Sequence, residues 1–340
     1  MKNLKSILSF LIGLVIIVVL AKYIGLEKII KIFLHVKPIF IIFFIITSIV
    51  IMFLRVLKWK FILESHDINV PLKDLFMYRI AGMAVSYLTP SAHVGGEPVR
   101  AYLISKKANV PFEKAMSSVI IDKAIELTLN GFFTVVFSIF VLAFFKLPLL
   151  VKIFIYANLI LITFLVILFY IRTINGKGFF TFFFDKLRLE KIKFLKKYKN
   201  KVVEIDKTTS ELFYYSKYYL HLAFITHLLS WILSLVEFQL VLMMFGFGIS
   251  WINAFLVYAG VGLAYTIPVP GALGILEVVQ SFVAKLTHLP VQVSFAVSFV
   301  VRARDGIWTI IGVLYLYLKK LKISELLSSK ASKGENHHEK

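Results

Sequence analysis

The sequence predicts an all-α polytopic membrane protein with about six full spans plus two broken or re-entrant helical hairpins. Composition is the first reason. Of 340 residues, 59% are hydrophobic and only 17% are charged, against about 25% charged in a typical soluble domain. Phenylalanine alone supplies 33 residues, and the mean hydropathy is +0.85. A soluble globule of this size would have too few charges to cover its water-facing surface. The second reason is a set of six apolar runs that approach or exceed the roughly 20 residues needed to cross the hydrocarbon core. The third is a pair of shorter apolar stretches that break at proline and glycine clusters. Interrupted helices at membrane depth are tolerated only where protein or a cavity surrounds them.

The first apolar run covers residues 7–21. Lys2 and Lys5 precede it, but it has no small-x-small cleavage site, so it reads as an uncleaved span. Residues 38–57 make the second span. Pro38 suits a first helical turn, and Arg55, Lys58 and Lys60 mark the expected end. A short stretch, 75–90, follows and breaks at Thr89-Pro90-Ser91-Ala92-His93-Val94-Gly95-Gly96-Glu97-Pro98; a second short piece covers 99–104. Residues 117–145 are the third span, long enough to tilt. Residues 149–171 and 219–245 are the fourth and fifth. The stretch 254–269 then breaks at Ile267-Pro268-Val269-Pro270-Gly271-Ala272-Leu273-Gly274 and resumes over 275–286. Residues 294–318 are the last span. One transmembrane domain, 1–323, with a polar tail, 324–340, accounts for the whole chain.

Charge orients these elements. The net charge of +20 does not point to nucleic acid, because the basic residues lie between apolar runs. The positive-inside rule and anionic lipid head groups explain them there. Residues 172–217 carry 12 Lys/Arg against five acids, the strongest cytoplasmic mark. The connection 246–250 has no charge and belongs outside, and Lys319, Lys320 and Lys322 place the tail inside. Both termini are then cytoplasmic. The first hairpin dips from inside and the second from outside. The loop 22–37, with four lysines, runs against this scheme, and full crossing by the half-helices would raise the helix count to eight or more. Within the basic segment, residues 186–199 interleave Leu, Ile and Phe with Lys and Arg, the pattern of an interfacial helix on anionic lipid, with a plain solvated basic loop as the alternative.

The broken stretches resemble each other. Ser86-Tyr87-Leu88-Thr89-Pro90 matches Ala264-Tyr265-Thr266-Ile267-Pro268 at an offset of 178, and Gly96 matches Gly274 at the same offset. Glu97 and Glu277 come next. Each unit then leads into a span with ionisable residues: Asp122, Lys123 and Glu126 in one, Arg302, Arg304 and Asp305 in the other. Residues 38–145 and 219–318 are therefore candidate units of an inverted repeat. Gly/Pro-interrupted segments in corresponding places of two halves point to a transporter site.

These breaks supply the candidate substrate-binding residues. Gly95 and Gly96 permit close approach. The helix start at Pro98, with Arg100, offers free N–H groups and a guanidinium to a phosphate or carboxylate. Gly271 and Gly274 could do the same in the second break. Glu97 opposes an anion there unless it pairs with Arg100 or with a substrate amine, and Glu277 is similar. His93 could donate to phosphate or cap a helix. Asp122 and Glu126 share a helix face near a span end, where they line a pathway or snorkel to water. Arg302 and Asp305 are three apart inside the last span, which predicts an ion pair. Glu237 stands alone within the fifth span and could pair across helices. No metal-ligand spacing, nucleotide loop or hydrolase elbow occurs, so no cofactor is expected. Cysteine is absent, which removes disulfides and thiol chemistry.

The two breaks, Thr89 to Arg100 and Pro268 to Glu277, resemble the transmembrane region of lysylphosphatidylglycerol synthases, the flippase-like membrane domain family. That family carries a Gly-Gly-Glu-x-x-Arg-like run in the first break and a Pro-Gly-Gly-x-Gly-x-x-Glu-like run in the second; Ala272 replaces the middle glycine here. The resemblance covers roughly residues 5–320. It implies translocation of a lipid or lipid-linked substrate, with anionic lipids as surroundings and a separate synthase or glycosylation enzyme as a possible partner. The chain stops soon after its last span, so no synthase domain is expected and lysyl transfer is not implied. A secondary transporter of a small anionic or zwitterionic solute is the second class. A non-catalytic accessory subunit or a membrane-embedded lipid-head-group enzyme is the third.

Overall fold

The computed structural model describes residues 27, 31, 33–34, 36–89, 95–146, 149–215, 217–319 and 321. The expected first span (7–21), His93 and both chain termini lie outside the described residues. Among those described, every regular element is helical. In chain order they are α1 (Pro38–Glu64), α2 (Leu72–Leu88), α3 (Glu97–Ala108), α4 (Phe112–Phe144), α5 (Leu149–Ile174), α6 (Phe179–Lys186), a 3-10 turn (Leu189–Lys191), α7 (Lys193–Lys196), α8 (Lys199–Tyr215), α9 (Lys217–Met244), α10 (Trp251–Tyr265), a 3-10 turn (Pro270–Ala272), α11 (Ile275–Thr287) and α12 (Val291–Leu318).

Among the described residues, four helices are long and apolar enough to cross a membrane: Pro38–Glu64, Phe112–Phe144, Ile155–Ile174 within α5, and Lys217–Met244. Only 11% of the apolar window in Ile155–Ile174 is buried. Its exposed Ile160, Phe164, Ile167 and Ile171 therefore need lipid or another apolar cover. The expected last span forms as α12, 28 residues long, but Arg302, Arg304 and Asp305 keep it outside that apolar set. The expected interfacial helix over 186–199 is corrected. Arg188 adopts φ 53, in the left-handed region, and divides the segment into the end of α6, a 3-10 turn and the four-residue α7.

The chain divides into two compact units. One comprises the described residues within 27–53, 76–99 and 229–321. Here α10, α11 and α12 pack in sequence. Gln280 donates to the Val257 carbonyl at 2.8 Å, and Gly312 of α12 lies so close to α2 that an added Cβ would meet the Ile80 carbonyl oxygen at 2.6 Å. The other unit comprises, among the described residues, 54–75 and 100–228. Its core joins α1, α4, α8 and α9 through Ile62, Ile121, Ile125, Leu212 and Ala223. A second cluster, Ile120, Ala124 and Phe169, is packed by Met116, Tyr170, Phe179, Ile205 and Phe213.

Two corners of the chain are built alike. After α3, Asn109 takes φ 52, and Val110 N–H bonds back to the Ser105 carbonyl at 3.2 Å. After α11, His288 takes φ 54, and Leu289 N–H bonds to the Ala284 carbonyl at 3.0 Å. Each left-handed residue ends its helix by satisfying an otherwise open carbonyl. Pro111 and Pro290 then start α4 and α12 with φ −53 and −57. The order of a 17-residue helix, a break, 12 residues and 33 recurs as 15, a break, 13 and 28.

Candidate functional site

Two clusters of buried charge form, one in each unit. In the unit holding α4, Asp122 is fully buried. Lys58 Nζ lies 2.8 Å from its Oδ1 and also donates to its backbone carbonyl at 2.8 Å. Arg100 Nη2 lies 2.8 Å from Oδ2. The Arg100 guanidinium stacks over Trp59, 4.0 Å from the ring centroid, and Trp59 Nε1 donates to Ser118 Oγ at 3.4 Å. One carboxylate thus meets two cations from α1 and α3. Glu126 pairs with Lys123 at 2.9 Å.

Sequence reasoning missed Lys58. It stood at the end of an apolar run and was read as a flanking charge. The helix instead continues through Trp59, Phe61, Ile62 and Leu63 to Glu64, which carries Lys58 into the interior. That continued apolar pattern was the available signal. The alternative that Asp122 snorkels to water is also corrected, because its side chain is enclosed.

In the other unit, Arg302 of α12 fastens the second break. Nε and Nη2 donate to the two oxygens of Glu277, at 2.7 and 2.8 Å. Nη1 reaches the Gly271 carbonyl at 2.6 Å, and Nη2 the Ala272 carbonyl at 3.0 Å. A guanidinium suits this place because its planar fork makes several bonds at once. The expected Arg302–Asp305 pair does not form. Asp305 instead accepts from Arg304 Nε at 3.0 Å and from the Tyr265 hydroxyl at 2.5 Å, while Arg304 Nη1 donates to Glu237 at 2.6 Å. Glu237, the lone charge of its span, pairs across helices and is therefore part of the cluster. Spacing of three along one helix predicted the wrong partner because residues from α9, α10 and α11 offered better-placed ones.

The glycines of the breaks are used structurally. A Cβ on Gly96 would meet the Gly82 carbonyl oxygen at 1.9 Å, and the Gly96 N–H donates to Ser86 Oγ at 2.8 Å. Gly271 has φ +54, and a Cβ there would lie 2.8 Å from a Tyr87 ring carbon. Tyr87 also shares a hydrogen bond with Arg302. Both tyrosines of the sequence repeat, Tyr87 and Tyr265, thus reach the same cluster. Gly274 precedes α11 with φ 78, and Glu277 sits in the first turn, as Glu97 does in α3. Each helix start thus carries its own carboxylate, which weakens the expectation of an anion held there by N–H groups alone. Gly95 is half-buried.

Ala272 is buried at φ 47, a conformation costing an L-residue about 1–2 kcal/mol. Ala272→Gly relieves that strain but loses a methyl and adds chain entropy, so it should shift stability by less than about 1 kcal/mol. Ala272→Val, β-branched at positive φ, should cost about 2 kcal/mol or more. Thermal unfolding in detergent compares the two.

Among the described residues, no group of three or more His, Cys, Asp or Glu is placed to hold a metal ion. A family model described as the lysylphosphatidylglycerol synthase TM region matches residues 6–312. A UPF0104 membrane protein of Methanocaldococcus jannaschii is 32% identical over 43% of this chain and 44% of its own length. One from Methanothermobacter thermautotrophicus is 31% identical over 36% of each chain. One from Pyrococcus horikoshii is 25% identical over 94% of this chain and 99% of its own. No solved structure matches the chain.

Proposed function

We infer the function from one premise: this chain belongs to the lysylphosphatidylglycerol synthase transmembrane-region family. Membership and the multi-helix membrane architecture support a general lipid-translocase-like role. We propose that the chain moves a lipid or lipid-linked substrate between leaflets, with the head group handled at the two break regions and the tails in the bilayer. The observation that carries this reading is the buried ionic chemistry beside each break. Arg100 of α3 pairs with Asp122 of α4, and Glu277 of α11 pairs with Arg302 of α12. Ionisable groups inside apolar helices are costly and mark sites or pathways by default. His93, Gly95, Gly96, Glu97, Arg100, Gly271, Gly274, Glu277, Asp122, Glu126, Arg302 and Asp305 remain the proposed head-group residues. No covalent step is required.

The reading includes six full crossings, cytoplasmic termini and hairpins entering from opposite faces. The charge pattern supports that orientation. The matched corners at Asn109 and His288 support a repeat over 38–145 and 219–318, which the orientation makes inverted.

The test is mass spectrometry of co-purified lipid, followed by leaflet exchange of a head-group-labelled form of that lipid in vesicles. Exchange should exceed that of protein-free vesicles. Uptake of a water-soluble solute without lipid exchange, or no exchange of any co-purified lipid, would remove the proposal.

A further inference from the structure

The basic segment between α5 and α8 presents a surface that the translocation reading does not use. Gly178 lies four residues past Ile174, the end of a candidate span, so chain continuity keeps α6 and the turn after it close to the bilayer surface. The start of the segment is firmly held by α8. Asp206 of α8 accepts from the backbone N–H groups of Phe179, Phe180 and Thr181 at 3.1, 3.1 and 2.7 Å, and from the Thr181 hydroxyl at 2.7 Å. Phe179 packs edge-on against Phe169 with ring centroids 5.2 Å apart, and Phe184 is buried.

The exposed side chains of the segment are mixed in character. Leu187 is 63% and Ile192 51% exposed, and Phe180 is also exposed. Around them lie exposed Lys177, Lys186, Arg188, Lys191, Lys196 and Lys197. From 177 to 201 the sequence has nine basic residues and two acids, and Lys199 pairs with both acids, Asp185 at 3.0 Å and Glu190 at 2.7 Å. Apolar side chains held outward amid this excess of cations match one occupant by charge: the anionic face of a lipid leaflet. A soluble acidic protein would match the cations, but not isolated aliphatic side chains beside a membrane span.

We propose that residues 177–201 form a docking surface for anionic phospholipid head groups, which seats Leu187 and Ile192 at the acyl boundary only on a negatively charged leaflet. The left-handed turn at Arg188 separates the two anchors, so they insert as points rather than as one continuous helix. The surface stands whether or not the chain moves lipid.

The absence of cysteine permits a direct test on the full chain. Leu187→Cys and Ile192→Cys proteins are labelled singly with an environment-sensitive fluorophore. They are reconstituted in phosphatidylcholine vesicles with or without phosphatidylglycerol. Emission should shift to the blue, and acyl-chain nitroxides should quench it, only in the anionic vesicles. Raising salt until the Debye length falls from about 10 Å to about 3 Å should cut the quenched fraction at least about twofold. Lys186→Gln, Lys191→Gln and Lys196→Gln together should do the same. The matching Lys→Arg set should keep the signal, which separates charge recognition from misfolding. Equal quenching in both lipids, or water-like emission in both, would overturn the proposal.

Discussion

Asp122→Ala is expected to destabilise the protein by about 3–5 kcal/mol, the usual cost of stripping the partner from a buried charge. The substitution leaves Lys58 and Arg100 inside the protein without the carboxylate that both contact at 2.8 Å. Neither can reach bulk water easily, since Lys58 is 0% exposed and Arg100 6%. The size of the loss therefore comes from the cations left behind more than from the contacts removed. Removing all three charges tests this. Lys58→Met, Arg100→Met and Asp122→Leu together should recover most of the loss, because apolar replacements of a buried ionic group are often neutral or better. Thermal unfolding of purified protein in detergent reads both results. An Asp122→Ala protein that melts with wild type would refute the account.

The second large effect concerns Arg302. Arg302→Ala removes four donor contacts, two to Glu277 and two to the carbonyls of Gly271 and Ala272. A loss of about 3–5 kcal/mol is expected. Arg302→Lys keeps the charge but not the fork, so it should restore less than half of that loss. In a double-mutant cycle with Glu277→Gln, the coupling should exceed about 1 kcal/mol. The leaflet assay adds a second readout. If the break handles a head group, Arg302→Lys should slow exchange beyond what its fraction of folded protein explains. Additive stability changes would show that Glu277 and Arg302 do not act as a pair.

Much of the helical layout could be read directly from apolar run length. The boundaries of α5 and α9 fell within a few residues of the runs that predicted them, because lipid-facing helices show their apolar character on nearly every side. Boundaries set by charge were less legible. Arg55, Lys58 and Lys60 marked an end at residue 57, yet α1 runs on to Glu64. A lysine that finds a buried carboxylate on another helix does not terminate anything, and its partner lies 64 residues away.

The site was legible as a list of residues but not as a set of bonds. Glu277 was expected either to meet a substrate or to pair internally, with no partner named, and it is the bidentate partner of Arg302. Local spacing can propose only partners on the same helix, and here the strongest contacts join different helices. Tyr265 was seen as a repeat marker; its hydroxyl contact with Asp305 needed the fold to bring α10 to α12. Gly96 was anticipated as a point of close approach, and Gly82 is what it approaches.

The two buried ion pairs that join a break helix to the next long helix have opposite polarity. Arg100 faces Asp122 in the first, and Glu277 faces Arg302 in the second. Each is also self-contained, since both members belong to the same stretch of the proposed repeat. Separating opposite charges in an apolar medium is among the most costly events a membrane protein can undergo. With each cation keeping its counter-charge close at hand, either stretch could shift as a body without creating a bare ion. Under the proposed translocation, this wiring would add little electrostatic resistance and leave the barrier to packing and to the lipid.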